Sequence, residues 1–255
     1  MATSAWFVPE VIDVESGMEN ARNCVRGYLL QFGYLDRTRA VNQLDFDVDD
    51  RAALRSMQHF IGLPATGIYN QETATAMTKN RCGFPDMNGI ANFTLHGNKW
   101  PPRLLAWKLV NESPDLPRTE IVRALEAALS EWSQYLPKTM SFQSTSDDAD
   151  MVVQFTSKIH GDGFPFDGPG SVLAHAFFPP PNNGLLAGDL HFDEDEDWNE
   201  HFLMQVALHE FGHSLGLQHS TDPTAVMYPF FNDLVKLQGD DIAAIRHLYG
   251  GSDAI

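Results

Sequence analysis

The string HEFGHSLGLQH, from His209 to His219, restricts this chain more than any other stretch. His209 and His213 are four apart, so on a helix they share one face and two imidazole nitrogens can meet one cation. Glu210, the next residue, projects beside that cation, where it can hold and deprotonate a bound water. Gly216 follows where the chain must leave the helix in a left-handed conformation that glycine takes without strain, which lets His219 swing back as a third ligand. Three protein ligands leave one position open, the mark of a catalytic zinc site; structural sites are closed by four.

Met227, in the AVMYP segment that follows, resembles the Met-turn that floors the zinc site in metzincin peptidases. Within that clan, Ser220 after the third histidine is similar to the matrix metalloproteinases. Arg81 to Asp86 reads RCGFPD and resembles the cysteine switch of matrix metalloproteinase zymogens, in which the thiolate of Cys82 fills the open zinc position. Asn80 stands where that family usually has proline, a departure that touches the backbone approach more than the ligand. The chemistry is sound on its own terms, since thiolate binds zinc strongly and Arg81 suits a carboxylate such as Asp86.

A third block runs from His160 to Trp198. His160, Asp162, His175 and His191 supply three imidazoles and one carboxylate, a closed set suited to a structural zinc, and the resemblance implies a second zinc there. Asp167, Asp193 and Glu196, with backbone carbonyls near Gly168, Gly170 and Val172, offer the hard oxygen ligands that calcium requires. Asp150 and Asp189 resemble carboxylate ligands of a second family calcium site. The loop before Asp189 is about three residues longer than is usual in the family. Two zinc ions and one to three calcium ions are therefore expected, while Asp195 and Asp197 read as a solvated acidic face.

A net charge of -17 argues against a nucleic-acid partner, because phosphate binding needs clustered Lys and Arg. Two cysteines give no disulfide framework; with Cys82 committed to the switch, Cys24 is expected as a free, mostly buried thiol on the first helix. No stretch reaches the roughly 18 to 20 apolar residues of a membrane span, and the N-terminus lacks an apolar signal core. The resemblance implies a secreted, extracellular monomer open to tissue-inhibitor-type protein inhibitors. Asn92 and Asn111 match the glycosylation pattern, the second disfavoured by Pro114.

Apolar spacing predicts helices over Glu19–Leu35, with Ala21, Val25, Tyr28, Leu29 and Phe32 on one face, and over Asp49–Ile61 and Asn70–Met77. This unit resembles the family's propeptide domain and its peptidoglycan-binding relatives. Residues 1–87 are thus expected as a small three-helix propeptide domain, 88–102 as linker and activation segment without a furin-like basic run, 103–250 as the catalytic domain, and 251–255 as a tail. No hemopexin-like propeller is expected. The resemblance implies an α+β fold class: a metzincin catalytic domain with a twisted five-stranded mixed sheet and three helices. Strands are expected at Leu104–Val110, Met140–Gln143, Met151–Phe155, Ser171–Phe178 and Leu190–Asp193. Helices are expected over Thr119–Leu136, where Leu116 and Pro117 would cap the start, Asn199–Leu215 and Gly239–Tyr249.

The implied activity is hydrolysis of internal peptide bonds in extracellular proteins. An extended substrate would lie antiparallel to a strand containing Leu173 and Ala174. The pocket for the hydrophobic residue after the cut would have medium depth, set by Gln205, with Pro229 and Phe231 as its outer wall. Two other classes share the metal motif: a catalytically silent binding module, against which Glu210 speaks, and a different metzincin, against which Ser220 and RCGFPD speak.

Overall fold

The computed structural model describes residues 17–36, 48–87, 98–181 and 183–250. Asn92, most of the expected activation segment and the 251–255 tail lie outside the described residues. Val25, Tyr28 and Leu29 are buried along α1 (Gly17–Gln31) and Phe32 directly after it, as the helical spacing requires. The helix closes on Gly33, at φ 81°, with Tyr34 N donating to Leu29 O at 2.8 Å. That left-handed closure favours glycine because it carries no Cβ. α2 (Val48–Phe60) and α3 (Gln71–Met77) lay Leu54, Met57 and Met77 into the same apolar cluster. The cluster is completed from the C-terminal part of the chain by Phe166, Val172 and Phe230.

The larger unit holds β2 (Leu104–Leu109), β3 (Ser141–Ser144), β4 (Met151–Thr156), β5 (Val172–Ala176) and β6 (Leu190–Asp193). β2 and β4 alternate buried and more exposed residues, the period-two pattern of strands with one face on a core. β2, β3, β4 and β6 are joined by parallel pairings, and β5 runs antiparallel to β6, which gives the expected mixed five-stranded sheet. A sixth strand is added at its edge. β1 (Arg81–Cys82), from the RCGFPD segment, pairs parallel to β5, so the order is β1-β5-β6-β4-β2-β3.

Three helices accompany the sheet: α4 (Arg118–Ser133), α5 (Glu200–Ser214) and α6 (Gly239–Tyr249). α4 buries Ile121, Leu125, Ala128 and Trp132, and Trp132 Nε1 donates to Leu208 O of α5 at 2.8 Å. Position α5 is thereby fixed from behind by an indole hydrogen bond as well as by packing. α6 opens with a capping box between Gln238 and Asp241. Among the described residues no helix is long and apolar enough to cross a membrane.

Two local expectations are corrected, and two further residues take structural roles that the sequence did not show. α4 starts without a side-chain cap; the Pro117 carbonyl accepts from Glu120 N at 2.8 Å, because neither Leu116 nor Pro117 carries a polar side chain. Cys24 is free but only partly buried. The Asn111 side chain is committed at both ends to the Phe155 backbone, donating to its carbonyl at 2.6 Å and accepting from its N–H at 2.9 Å, so it serves as a strand clamp. Trp100, assigned to the linker, is buried in the main core with Nε1 donating to Ser214 O at 2.8 Å.

Gly212 of α5 lies against Trp132 and the sulfur of Met227, so an added Cβ would collide with both. Gly212→Ala should therefore destabilise the fold by ~1–3 kcal/mol through overpacking, read as a lowered midpoint of thermal unfolding. An unchanged midpoint would mean that Met227 moves aside at no cost.

Candidate metal centre and the segment that covers it

α5 carries His209, Glu210 and His213 within the core, and the chain leaves the helix at Gly216, φ 103°, where a Cβ would strike Asn98 O. That turn returns His219 to the other two. Each ring is fixed by what its Nδ1 touches. His209 Nδ1 donates to Val226 O and His213 Nδ1 to Leu217 O, both at 2.7 Å, while His219 Nδ1 donates to the carboxylate of Asp86 at 2.8 Å. With the protons on Nδ1, every Nε2 is left with a bare lone pair. Burial, with the neighbouring His219, pushes His209 down to about 3 and His213 well below its ordinary value, so neither ring is charged.

The Nε2 atoms of His209 and His213 nevertheless face each other at 3.2 Å, and the buried Nε2 of His219 has no partner. Two facing lone pairs and a third beside them fit a cation. Cys82 joins the same group, its sulfur and the three ring nitrogens all lying within 4.8 Å of one another. Glu210 stands alongside with both oxygens buried and unpartnered, and burial pushes its carboxyl up to about 8. Beneath the group, the Met227 and Val226 N–H groups each donate to the buried Asp241 carboxylate at 2.9 Å, which pins the methionine turn.

Backbone bonds hold the RCGFPD segment in the cleft on both sides. Arg81 N donates to Ser171 O and Gly83 N to Ala174 O, each at 2.7 Å. On the opposite wall Cys82 N donates to Pro229 O at 2.9 Å and Phe231 N to Asn80 O at 2.8 Å. Leu173, Gln205, Val206, His209, Pro229 and Phe231 line a pocket beside the histidines. Gln205 is buried and its Nε2 donates to Asp233 at 2.5 Å. Phe84, on the other side of Cys82, stacks on His213 with ring centroids 4.5 Å apart. Sequence reasoning overlooked Phe84, Asp241 and the contact of Asp86 with His219. An apolar or acidic residue gives no local sign of a partner that far along the chain.

The second group also converges. One oxygen of Asp162 meets His160 Nε2 and His175 Nε2 at 2.7 Å and His191 Nδ1 at 2.8 Å, and these four ligand atoms also lie within 4.8 Å of one another. The acidic residues behave differently. The N–H groups of Gly168, Gly170 and Val172, and not their carbonyls, are the backbone atoms on Asp193, Glu196 and Asp167, at 3.3, 2.5 and 3.2 Å. Asp150 is engaged by Arg103 through both oxygens, at 2.6 and 2.9 Å, and Asp189 accepts from Val152 N at 2.9 Å. Neither acidic set is among the two convergent groups found in the described residues.

Uncharged rings aimed at a common point, beside a buried carboxyl group and along a cleft that holds one extended strand, are what a zinc metallopeptidase needs. Comparison with known sequences narrows that class. The matrixin peptidase model matches residues 99–250, and a peptidoglycan-binding-domain model matches residues 21–77. The chain belongs to the matrixin family. It is 47% identical over 207 residues to interstitial collagenase of Equus caballus and 43% identical over 207 residues to stromelysin-1 of the same species. Those alignments take in 78% and 77% of this chain but 43% and 42% of the two relatives. Matrilysin of Mus musculus is 41% identical over 245 residues, covering 91% of this chain and 86% of that protein.

Burial, reinforced by neighbouring carboxylates, pushes Glu196 up to about 7 and Asp167 and Asp193 each up to about 6. Raised carboxyls hold protons in the fold that the unfolded chain has already lost. Without a divalent cation, the contribution of these three groups to stability is therefore fully present below the unfolded carboxylate range and is lost as pH rises toward 7. Millimolar calcium should raise the unfolding midpoint near neutral pH and do little near pH 5, as carboxylate ligation predicts. An equal shift at both pH values would place its action elsewhere.

Proposed function

We propose that the chain is a secreted, latent zinc endopeptidase that cleaves internal peptide bonds of extracellular proteins before a hydrophobic residue. The observation that carries this reading is the convergence of Cys82 with His209, His213 and His219 beside the unpartnered Glu210. The histidines would hold the catalytic zinc, and His160, Asp162, His175 and His191 a structural one. Calcium at Asp167, Asp193 and Glu196, with a further ion near Asp150 and Asp189, belongs to the same reading. So does a division into a propeptide domain (1–87), a linker and activation segment (88–102), a catalytic domain (103–250) and a tail (251–255).

Zinc, when bound, supplies Lewis acidity toward water and toward a peptide carbonyl. The residues of the chain do the rest. A substrate strand takes the place of the RCGFPD segment, with the backbone of Leu173 and Ala174 on one side and that of Pro229 and Phe231 on the other. The covering segment runs parallel to β5, opposite to the direction expected of substrate, so it fills the cleft without presenting a peptide bond in the productive sense. Glu210 takes a proton from water as the oxygen adds to the carbonyl carbon, then gives it to the departing amine nitrogen. The pocket beside His209 receives the side chain after the cut, with Gln205 limiting its depth. Cys82 and water compete for one position, and displacement of the thiol opens the site. A monomer with this cleft also offers a surface for protein inhibitors of the tissue-inhibitor type.

The test is cleavage of a quenched peptide with leucine after the scissile bond, before and after mercurial or trypsin treatment. Treatment should switch on cleavage that a chelator abolishes. Glu210→Ala should lose ~10²–10⁴ of the rate, the range for a positioned general base. Cys82→Ser should be active untreated. If every form is inert with zinc bound, the metal serves only to hold the fold.

A further inference from the structure

Two of the three histidines in the candidate centre receive their Nδ1 partner from the catalytic unit itself, as backbone carbonyls of Leu217 and Val226. The third does not. His219 Nδ1 is bonded to Asp86, a residue of the covering segment 133 positions earlier, at 2.8 Å, and both side chains are fully enclosed. Asp86 is in turn fixed by Arg81 Nη2 at 2.6 Å on the same oxygen and by the Tyr34 hydroxyl at 2.7 Å on the other. The orientation of His219, and the exposure of its Nε2 lone pair toward the other two rings, therefore depends on a carboxylate that the catalytic unit does not own.

We infer that Asp86 is a positioning residue for the catalytic zinc: a second tie, separate from the Cys82 thiol, by which the propeptide orients His219 and slows loss of the metal from the latent chain. This rests on the reading of His209, His213 and His219 as zinc ligands. A carboxylate behind a ligating imidazole fixes its tautomer and raises its basicity as a donor. The thiol and the carboxylate act at different points, one on the open position and one behind a ligand. Departure of the segment thus removes a ligand and also loosens one that stays. The latent form should keep zinc more firmly than the loss of one thiolate explains.

The experiment measures zinc release from the zinc-loaded full chain to an excess of chromogenic chelator, together with the ring N–H proton resonance of His219. Asp86→Ala should release zinc from the three-histidine site ~10–100-fold faster than wild type, the usual cost of losing such a partner, with Asp86→Asn intermediate because it keeps a neutral acceptor. Tyr34→Phe, which loosens Asp86 without touching His219, should stay close to wild type and keep the resonance. Removal of Asp86 can also undock the helical unit, so Cys82→Ala provides an independent arm. It lacks the thiol but retains Asp86, and should release zinc more slowly than the chain cleaved after the covering segment while keeping the His219 resonance. Equal release by Cys82→Ala and the cleaved chain, or wild-type release by Asp86→Ala, would overturn the inference. If His213→Ala does not lower the zinc content of the wild-type chain, the proposed function itself fails, and not only this contact.

Discussion

The ion pair between Arg81 and Asp86 holds the rest of this arrangement in place. Both side chains are fully enclosed. A buried pair is sustained only when its remaining donors and acceptors are met, and removing one partner typically costs about 3–5 kcal/mol. Here they are met from three parts of the chain. Arg81 gives Nη1 to the Tyr28 hydroxyl at 2.5 Å and Nε to the Cys82 carbonyl at 3.1 Å, while its flat face lies 3.4 Å from the centre of the Phe32 ring. Phe230 of the catalytic unit approaches the same guanidinium at 5.0 Å. Burial alone would raise the Asp86 carboxyl, but Arg81 and His219 outweigh it and hold it below the usual carboxylate range. The pair joins helix α1, the covering strand and the wall of the cleft into one unit, and the placement of Cys82 follows from it.

The candidate metal centre beneath has a different logic, since each histidine is aimed by rigid local structure. A helix spaces His209 and His213, a glycine turn returns His219, and a carboxylate under the methionine turn fixes the floor. Such sites tolerate little drift, because an imidazole out of line by a fraction of an ångström no longer donates along its lone pair. The close passage of Gly212 past Met227 shows how little space separates the helix from that floor.

Much of this was legible in the sequence because the signals are local. Helical spacing gave Val25, Tyr28, Leu29 and Phe32 as one face, and the i, i+4 histidines with their glycine gave the geometry of the centre. The strand at Arg81–Cys82 was not legible, being two residues long and formed only against β5 and the Phe230 segment. Nor could Asp86 be connected with Tyr34 and His219, which lie 52 and 133 residues away. The acidic residues are the hardest to read from sequence. Nothing in the pattern separates a carboxylate that will meet Arg103, as Asp150 does, from one that will meet backbone N–H groups, as Asp193 and Glu196 do.

The apolar cluster of the three N-terminal helices borrows Phe166, Val172 and Phe230 from the catalytic side, and Tyr228 packs at its margin. Neither half is therefore closed without the other. Severing the chain between them and separating the pieces turns an interior into two surfaces, each rich in aromatic carbon. On the larger piece this newly wetted patch borders the cleft and exposes an adhesive apolar surface. On the helical piece it favours collapse and digestion, which makes the separation hard to reverse.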